Sequence, residues 1–527
     1  MSINSIRLLL EQAVASHSEK TAIVLNEQSI SYGELFAKTN QIAFYLKELG
    51  LAKNSRIGIY SNKGIDQVVA VLAILSTDYI LVPLTKLLKP EQVEYIINDC
   101  DIQCIITDKL KLECIEEIAF NGHIISYQTT SKDTASFEEI YKYYNKPYSC
   151  DINGHNNAVI TYSFGLSGTP KGIVISHRNL IDSARVVSQY LSLHEQDVIS
   201  GLLLFNLDYG LNQLFCTLYN KATLALHRFI LAEDFFNHLI NDKVTVLPLM
   251  PVNIAQMFDE DSHRIPSPEL FCELRIITSS GGNVSSKMIA ECSKVFKQAD
   301  FYSMHGLTEA FRSTYLDPSQ VLIRPDSIGK PIADVELYVI NEHGGECAVR
   351  EVGELIHRGG YIYSGFWNGA EENAQRFKSV QILKDVIDLD GQLTDELVVA
   401  SGDYVYKDEE GYFYFVSRKD DMIKTRGFRV SPLEIESVVA KNIPAINQCA
   451  VFAVDNESIE EEIVLVYSAA GELSEKEIVF ELKKHLASYM IPNKVIYRKS
   501  LPLLQSDKSR INKEKLKQQL SGEDGNE

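Results

Sequence analysis

The chain has 527 residues, 45% of them hydrophobic and 23% charged, with a formal net charge of -20. That length divides into more than one core, and the composition is that of a globular protein rather than a disordered or fibrous one. The acidic balance excludes a general nucleic-acid surface, because neutralising a phosphate backbone needs an excess of Lys and Arg.

The N-terminal MSINSIRLLLEQ reads as the start of an amphipathic helix with Glu11 inside it, unlike a secretory signal. No apolar run reaches membrane-spanning length, so a cytoplasmic chain is expected. Helical periodicity then alternates with short β-rich runs: helix over Ser31 to Leu49, strand over Arg56 to Tyr60, helix over Ile65 to Leu75 and strand over Tyr79 to Pro83. Helix over Glu91 to Asn98 and strand over Gln103 to Thr107 follow, and strands recur at Ala158 to Thr161, Ala222 to Leu226, Val244 to Leu249 and Arg275 to Thr278. This alternation predicts an α/β fold with parallel sheets covered by helices. Beyond Gly329 the short strands Asp334 to Ile340, Gly353 to Arg358 and Tyr412 to Val416, with Gly and Asn turns, predict a β-rich piece.

A charged stretch, SRKDDMIKTRG over Ser417 to Gly427, leads into a final run the size of a small domain. There the spacing predicts a helix over Pro432 to Ala440 capped by Ser431, strands over Gln448 to Val454 and Ile463 to Ser468, and a helix over Ser474 to Leu486. The closing SGEDGNE has no apolar content and is expected to be disordered. The nine cysteines include no CxxC pair, and neither disulfides nor structural zinc are expected.

The stretch YSFGLSGTPKG, Tyr162 to Gly172, carries the chemistry of a triphosphate loop. Glycines let backbone amides approach phosphate oxygens, hydroxyls add donors, and Lys171 supplies a compact positive charge. It is not a Walker loop, since Lys171 follows Pro170 and precedes Gly172. Further motifs follow in order: TSSGGNVSS from Thr278, YSMHGLTE over Tyr302 to Glu309, GELIHR from Gly353, YSGFWN from Tyr363, SGD over Ser401 to Asp403, and SRKDD from Ser417.

In this order the motifs resemble those of the AMP-forming adenylating ligases, the superfamily of acyl-CoA synthetases, peptide-synthetase adenylation domains and luciferases. The match runs from SYGEL at Ser31 to SYMIP at Ser488, with the nearest likeness to stand-alone exosortase-associated-type acyl-CoA ligases. The resemblance implies a large N-terminal domain of layered α/β subdomains plus a β-rich subdomain, residues 1–419, and a small mobile α+β domain, 420–520, after a hinge at Asp420. Residues 521–527 would be a disordered tail. It implies an ATP site built from Ser163, Gly165, Ser167, Gly168, Thr169, Lys171, Gly281, Gly282, His305, Gly306, Thr308, Asp403 and Arg418. Thr308 would contact phosphate, Glu309 would hold Mg2+, Asp403 would take the ribose hydroxyls, and Gly427 would line the thiol tunnel.

By the same resemblance LFNLDYGLNQL, Leu204 to Leu214, builds the acid pocket, with Asp208, Tyr209, Asn212, Ser280, Met304 and Arg312 around the substrate. Asp208 falls where amino-acid adenylation domains pair an aspartate with the substrate amine. If Arg312 satisfies Asp208, a neutral-tailed acid is implied; if it does not, an amino acid is favoured. ATP and Mg2+ would be required, and the thiol would belong to CoA or to the phosphopantetheine arm of an acyl or peptidyl carrier protein.

Two departures stand out. The family's catalytic lysine lies in a PxTxxGK element, where this chain reads LPLLQSDKSRINKEKL from Leu501. Counting forward from Leu501 and Pro502 selects Lys508; counting back from INKEKL selects Arg510. Lys508 is the preferred catalytic residue, beside Lys171, Thr308 and Glu309. In the phosphate loop, Phe164 and Leu166 stand where hydroxyls are usual. Three readings therefore compete: an acyl-CoA synthetase, an amino-acid adenylation enzyme loading a carrier protein, and a degenerate ligase acting as a binding protein.

Overall fold

The computed structural model describes residues 3–88, 90–128, 134–143, 148–164, 170–258, 265–282, 284–389, 395–419, 422–425, 428–456, 460–486, 490–503 and 511–523. They group into two compact units: residues 1–337, 357–382 and 389–399, and residues 338–356, 383–388 and 400–527.

The first unit is α/β. One seven-stranded sheet runs in the order Ala135–Ser136, His123–Ser126, Ile102–Thr107, Arg56–Tyr60, Ile80–Leu84, Asn157–Phe164 and Pro170–Ser176. Its pairs are parallel except the last, which is antiparallel. Every residue of Ile80–Leu84 is buried, as a parallel strand covered on both faces requires. The helix Ile65–Leu75 is buried continuously from Gln67 to Leu75, so an apolar run without an outer face becomes a core helix. The N-terminal helix Ile6–His17 and the capping box that opens Tyr32–Glu48, with Ser31 and Glu34 exchanging bonds, follow the sequence pattern.

A second run of strands in this unit has the order Ser327–Pro331, Thr314–Leu316, Asp300–His305, Ile276–Ser279, Val246–Leu249, Val198–Gly201, Thr223–Leu226, Thr21–Leu25 and Gln28–Ser31. Its middle members are parallel, so their carboxyl ends share one edge. Lys63 joins the two sheets. Its buried ammonium donates to the carbonyls of Gly201, Leu202 and Leu203 at 2.6, 2.5 and 2.6 Å and thereby fixes the segment that leads to Asp208.

The second unit holds the hairpin of Phe413–Arg418 with the end of Leu397–Lys407. It also holds an α+β piece with strand order Phe428–Val430, Ile423–Thr425, Glu460–Ala469 and Ile446–Asn456, with Lys494–Tyr497 added beside Glu460–Ala469. Ile435 and Val439, from the helix Pro432–Asn442, pack with Ile423, Val451, Leu465 and Leu482. Ser431 caps that helix, accepting from the Glu434 amide at 3.3 Å.

Ser401-Gly402-Asp403 lies inside the strand Leu397–Lys407, where Gly402 takes φ +69°. Several expectations from sequence are corrected. Tyr162 to Phe164 and Pro170 to Gly172, read from sequence as parts of a loop, belong to strands. The helix expected over Ser474 to Leu486 ends at Leu482, after which the Lys484 and His485 amides bond three residues back and tighten the chain. The last helix, Lys513–Glu523, takes in the first three residues of the expected tail.

Candidate active site

The carboxyl ends of two neighbouring parallel strands carry Gly281, Gly282, His305, Gly306, Thr308 and Glu309. That edge is where open α/β sheets bind ligands, since loops there turn aside and leave backbone groups uncommitted. Ile276–Ser279 runs out into buried Ser280 and then an exposed Gly281-Gly282 pair, with Gly281 at φ +86°. Its neighbour Asp300–His305, paired so that Ser279 faces Ser303, runs out into Gly306 and the Thr308-Glu309 pair.

The turn after His305 explains its glycine. Leu307 donates to the Ala310 carbonyl at 3.0 Å and Ser313 to the His305 carbonyl at 3.0 Å, folding the chain back on itself. A Cβ on Gly306 would lie 2.4 Å from the Phe311 carbonyl oxygen. Gly306→Ala is therefore expected to cost about 1 to 3 kcal/mol, as overpacking against backbone does. Urea unfolding of the variant measures this, and an unchanged midpoint would mean that the turn yields freely. The turn leaves Thr308 exposed and His305 half-buried, and it buries Glu309, whose carbonyl accepts from the Tyr363 amide at 2.9 Å. The Glu309 carboxylate lies 3.5 Å from Nε of Arg376, at the end of the helix Ala370–Arg376.

The residues expected around an acid begin at Asp208. Asp208 opens the helix Asp208–Asn220, where its charge suits the helix N-terminus. Its Oδ1 accepts from the Tyr209 amide at 2.6 Å and its Oδ2 from the Tyr363 hydroxyl at 3.4 Å. Burial raises the Asp208 pKa and the charge of Arg312 opposes that rise, but no direct ion pair joins the two side chains. The Tyr209 and Thr278 hydroxyls are 2.7 Å apart, and Asn212 donates to Ser183 at 3.3 Å. Burial pushes the Tyr209 hydroxyl up to about 12, so it stays protonated.

Arg312 is 4% exposed. Its Nη1 donates to the Phe311 carbonyl at 3.1 Å, and its guanidinium carbon sits 4.6 Å from the ring centroids of both Tyr209 and Phe311. With Tyr190, Tyr209, Asn212, Thr278 and Met304 it lines a void of about 10 Å³, measured as the space for the centre of a water-sized sphere, which holds about one water. Four of the pocket residues expected from sequence, Tyr209, Asn212, Met304 and Arg312, thus meet at one cavity. Asp208 and Ser280 do not line it.

Lys171 lies on Pro170–Ser176, opposite Ser163 across the strand pair, and forms an ion pair with Glu372. That contact raises the pKa of Lys171 and lowers that of Glu372. The Lys171 side chain keeps 40% of its surface exposed. Gly165, Ser167, Gly168 and Thr169 lie outside the described residues, as do Asp420, Gly427, Lys508 and Arg510.

In the second unit, Asp403 and Arg418 pair across neighbouring strands. Arg418 Nη1 lies 2.7 Å from Oδ1 of the fully buried Asp403, and it also donates to the Ser401 carbonyl at 3.2 Å. The strand pairing holds this carboxylate and guanidinium together.

Sequence reasoning missed Glu372, Arg376 and the hydroxyl of Tyr363. The first two sit on a short helix with no motif of its own, and Tyr363 opens the motif YSGFWN, to which no site role was assigned.

The donor set at the strand ends fits a polyanion: exposed backbone at Gly281-Gly282, the exposed Thr308, and the part-exposed ammonium of Lys171. Among the described residues no group of three or more His, Cys, Asp or Glu forms a metal cage. The single carboxylate of Glu309 fits a magnesium ion that draws its other ligands from phosphate and water, the usual habit of that cation.

The sequence matches the AMP-binding enzyme family over residues 10–367 and the AMP-binding enzyme C-terminal domain over residues 434–508. It is 26% identical over 514 residues to gramicidin S synthase 1 of Brevibacillus brevis, covering 96% of this chain and 44% of that protein. Tyrocidine synthase 1 of Brevibacillus parabrevis is 24% identical over 513 residues, 96% of this chain and 44% of that protein. The chain therefore spans less than half the length of these relatives. Among solved structures, MatB from Rhodopseudomonas palustris with ATP bound is similar at a TM-score of 0.83 and 22% identity, covering 98% of this chain and 99% of that one. The o-succinylbenzoate coenzyme A synthetase MenE from Bacillus subtilis, in complex with ATP and magnesium ion, is similar at 0.80 and 23%, covering 95% and 97%. At these identities the likeness establishes the fold alone: an α/β architecture with a large N-terminal and a smaller C-terminal part.

Proposed function

The chain belongs to the AMP-binding enzyme family, and we propose that it joins a carboxylic acid to a thiol at the expense of ATP. In the first step an oxygen of the substrate carboxylate bonds to the α-phosphorus while the bond to pyrophosphate breaks. In the second, a thiolate attacks the acyl carbonyl and AMP leaves.

The observation that carries this reading is the placement of the Gly281-Gly282 pair, Thr308 and Glu309 after the carboxyl ends of two paired strands whose Thr278 and Met304 line the cavity with Tyr209 and Arg312. A polyanion bound at that edge meets an acid held beneath it, and orienting the two reactants is worth a large share of such a barrier. Lys171 exchanges Glu372 for phosphate, and Thr308 donates to a phosphate oxygen. Asp403 takes the ribose hydroxyls and Arg418 the same sugar or the phosphate, in keeping with the family resemblance. Magnesium entering with ATP supplies positive charge to the phosphate oxygens, and Glu309 is the carboxylate that would hold it. Lys508 neutralises the approach of two anions.

CoA is the proposed acceptor, with the phosphopantetheine arm of a carrier protein as the alternative. No helix among the described residues is long and apolar enough to cross a membrane. We place the enzyme in the cytoplasm, where ATP and CoA are at hand.

Incubating the protein with ATP, Mg2+ and an acid panel, with CoA and a phosphopantetheinylated carrier offered in parallel, tests the reading. Mass spectrometry is expected to find AMP, pyrophosphate and an acyl-CoA thioester. Acyl-carrier as the sole product would replace the acceptor, and absence of AMP with every acid would favour a binding protein instead.

A further inference from the structure

Arg312 is the buried charge whose needs are least met. Its Nη1 is committed to the Phe311 carbonyl, while Nε and Nη2 have no hydrogen-bond acceptor among the described residues. A guanidinium cannot shed its charge in a protein, so burial cannot be relieved by deprotonation. The two ring faces of Tyr209 and Phe311 offset part of the desolvation but accept no N–H bond. Asp208 does not fill the gap, because its oxygens face the Tyr209 amide and the Tyr363 hydroxyl and it makes no direct ion pair with Arg312. The amino acid expected for an unpaired Asp208 is set aside on the same contacts: both Asp208 oxygens have donors and burial favours its neutral form, so the unmet charge here is the positive one of Arg312.

The geometry of the remainder is specific. With Nη1 occupied, the edge left over is the Nε and Nη2 pair, a planar two-donor fork whose spacing matches the two oxygens of a carboxylate. Arg312 lines the cavity together with Thr278 and Met304, which lie in the bodies of the strands Ile276–Ser279 and Asp300–His305, inward of the edge where the phosphates are proposed to bind. A group seated on the fork is thus at the far end of the acid from its reacting carboxylate.

We infer that the acid activated here carries a second carboxylate, distal to the reacting one, that sits on Nε and Nη2 of Arg312; the inference rests on the adenylating reading above.

Acid-dependent ATP–pyrophosphate exchange on matched pairs tests it: butyrate against succinate, valerate against glutarate and hexanoate against adipate, with γ-aminobutyrate and standard amino acids as further arms. For the wild type, kcat/KM for the best diacid is expected to exceed that of its monoacid partner by about tenfold or more, the scale of a charged hydrogen bond. In Arg312→Leu that ratio is expected to fall to about one, with Arg312→Lys between them. Thermal melts with diacid alone add a binding readout: the wild type rises in Tm and Arg312→Leu does not. The wild-type panel needs no variant, so a misfolded Arg312→Leu leaves the test standing. Exchange that favours monoacids or amino-bearing acids in the wild type overturns this inference and leaves adenylation intact. Exchange with no acid at all overturns both.

Discussion

Lys508→Ala is expected to lower acid-dependent ATP–pyrophosphate exchange by about a hundredfold to a thousandfold, the range seen when one preorganised charge or donor is removed from a developing anion. Arg510→Ala is expected to keep most of the activity. The argument is electrostatic: the attacking carboxylate and the α-phosphate repel each other, and a compact ammonium on a long stem fits between them better than a planar guanidinium. The two candidates share the segment between Leu503 and Ile511, which pair with each other, while the Asn512 amide donates to the Pro502 carbonyl at 2.7 Å. Exchange rates of the two variants beside the wild type decide the matter. A silent Lys508→Ala with a crippled Arg510→Ala would mean that the register counted back from INKEKL is the right one.

Gly210→Ala carries the largest expected loss of stability in the acid pocket. A Cβ there would lie 1.9 Å from the Leu204 carbonyl oxygen and 2.6 Å from its carbon, and neither atom is the tip of a flexible side chain. Two effects compete. Alanine favours a helix by about 1 kcal/mol over glycine, while forcing extra volume against a backbone costs about 1 to 3 kcal/mol and occasionally more. Overlap this deep puts the cost at about 3 kcal/mol, so destabilisation wins. The segment that must move runs from the carbonyls held by Lys63 to Asp208, so exchange activity should fall together with the urea midpoint. A variant as stable as the wild type would mean that the helix slides away from Leu204 without harm.

The alternation of helical and strand-like runs was enough to read the α/β class, and the strand Arg56–Tyr60 and the helix Ile65–Leu75 fall where periodicity puts them. Local chemistry misled where tertiary contacts override it. Glycine and serine in YSFGLSGTPKG read as loop, yet buried Tyr162 packs into the core and its hydroxyl donates to Asp99 at 2.5 Å, which keeps the strand going to Phe164. Ser401-Gly402-Asp403 carries no strand signal of its own, yet it lies inside Leu397–Lys407, where Gly402 takes a positive φ and Asp403 sits opposite Arg418. Motif order named Tyr209, Asn212, Met304 and Arg312, which meet at one cavity. It gave no sign of the contacts of Glu372 with Lys171, Arg376 with Glu309 or Tyr363 with Asp208, which join residues far apart in sequence by side-chain reach alone. Whether Arg312 neutralises Asp208 was also beyond sequence, because it turns on which edge of a guanidinium finds an acceptor.

The most direct measurement is magnesium-dependent ATP–pyrophosphate exchange on the wild-type protein across a broad panel of mono-, di- and amino-bearing acids. Adenylation at the strand edge requires exchange that appears only when both a particular acid and Mg2+ are present. Exchange with no acid in the panel, while ATP still binds, would contradict it and leave a nucleotide-binding protein on a ligase fold.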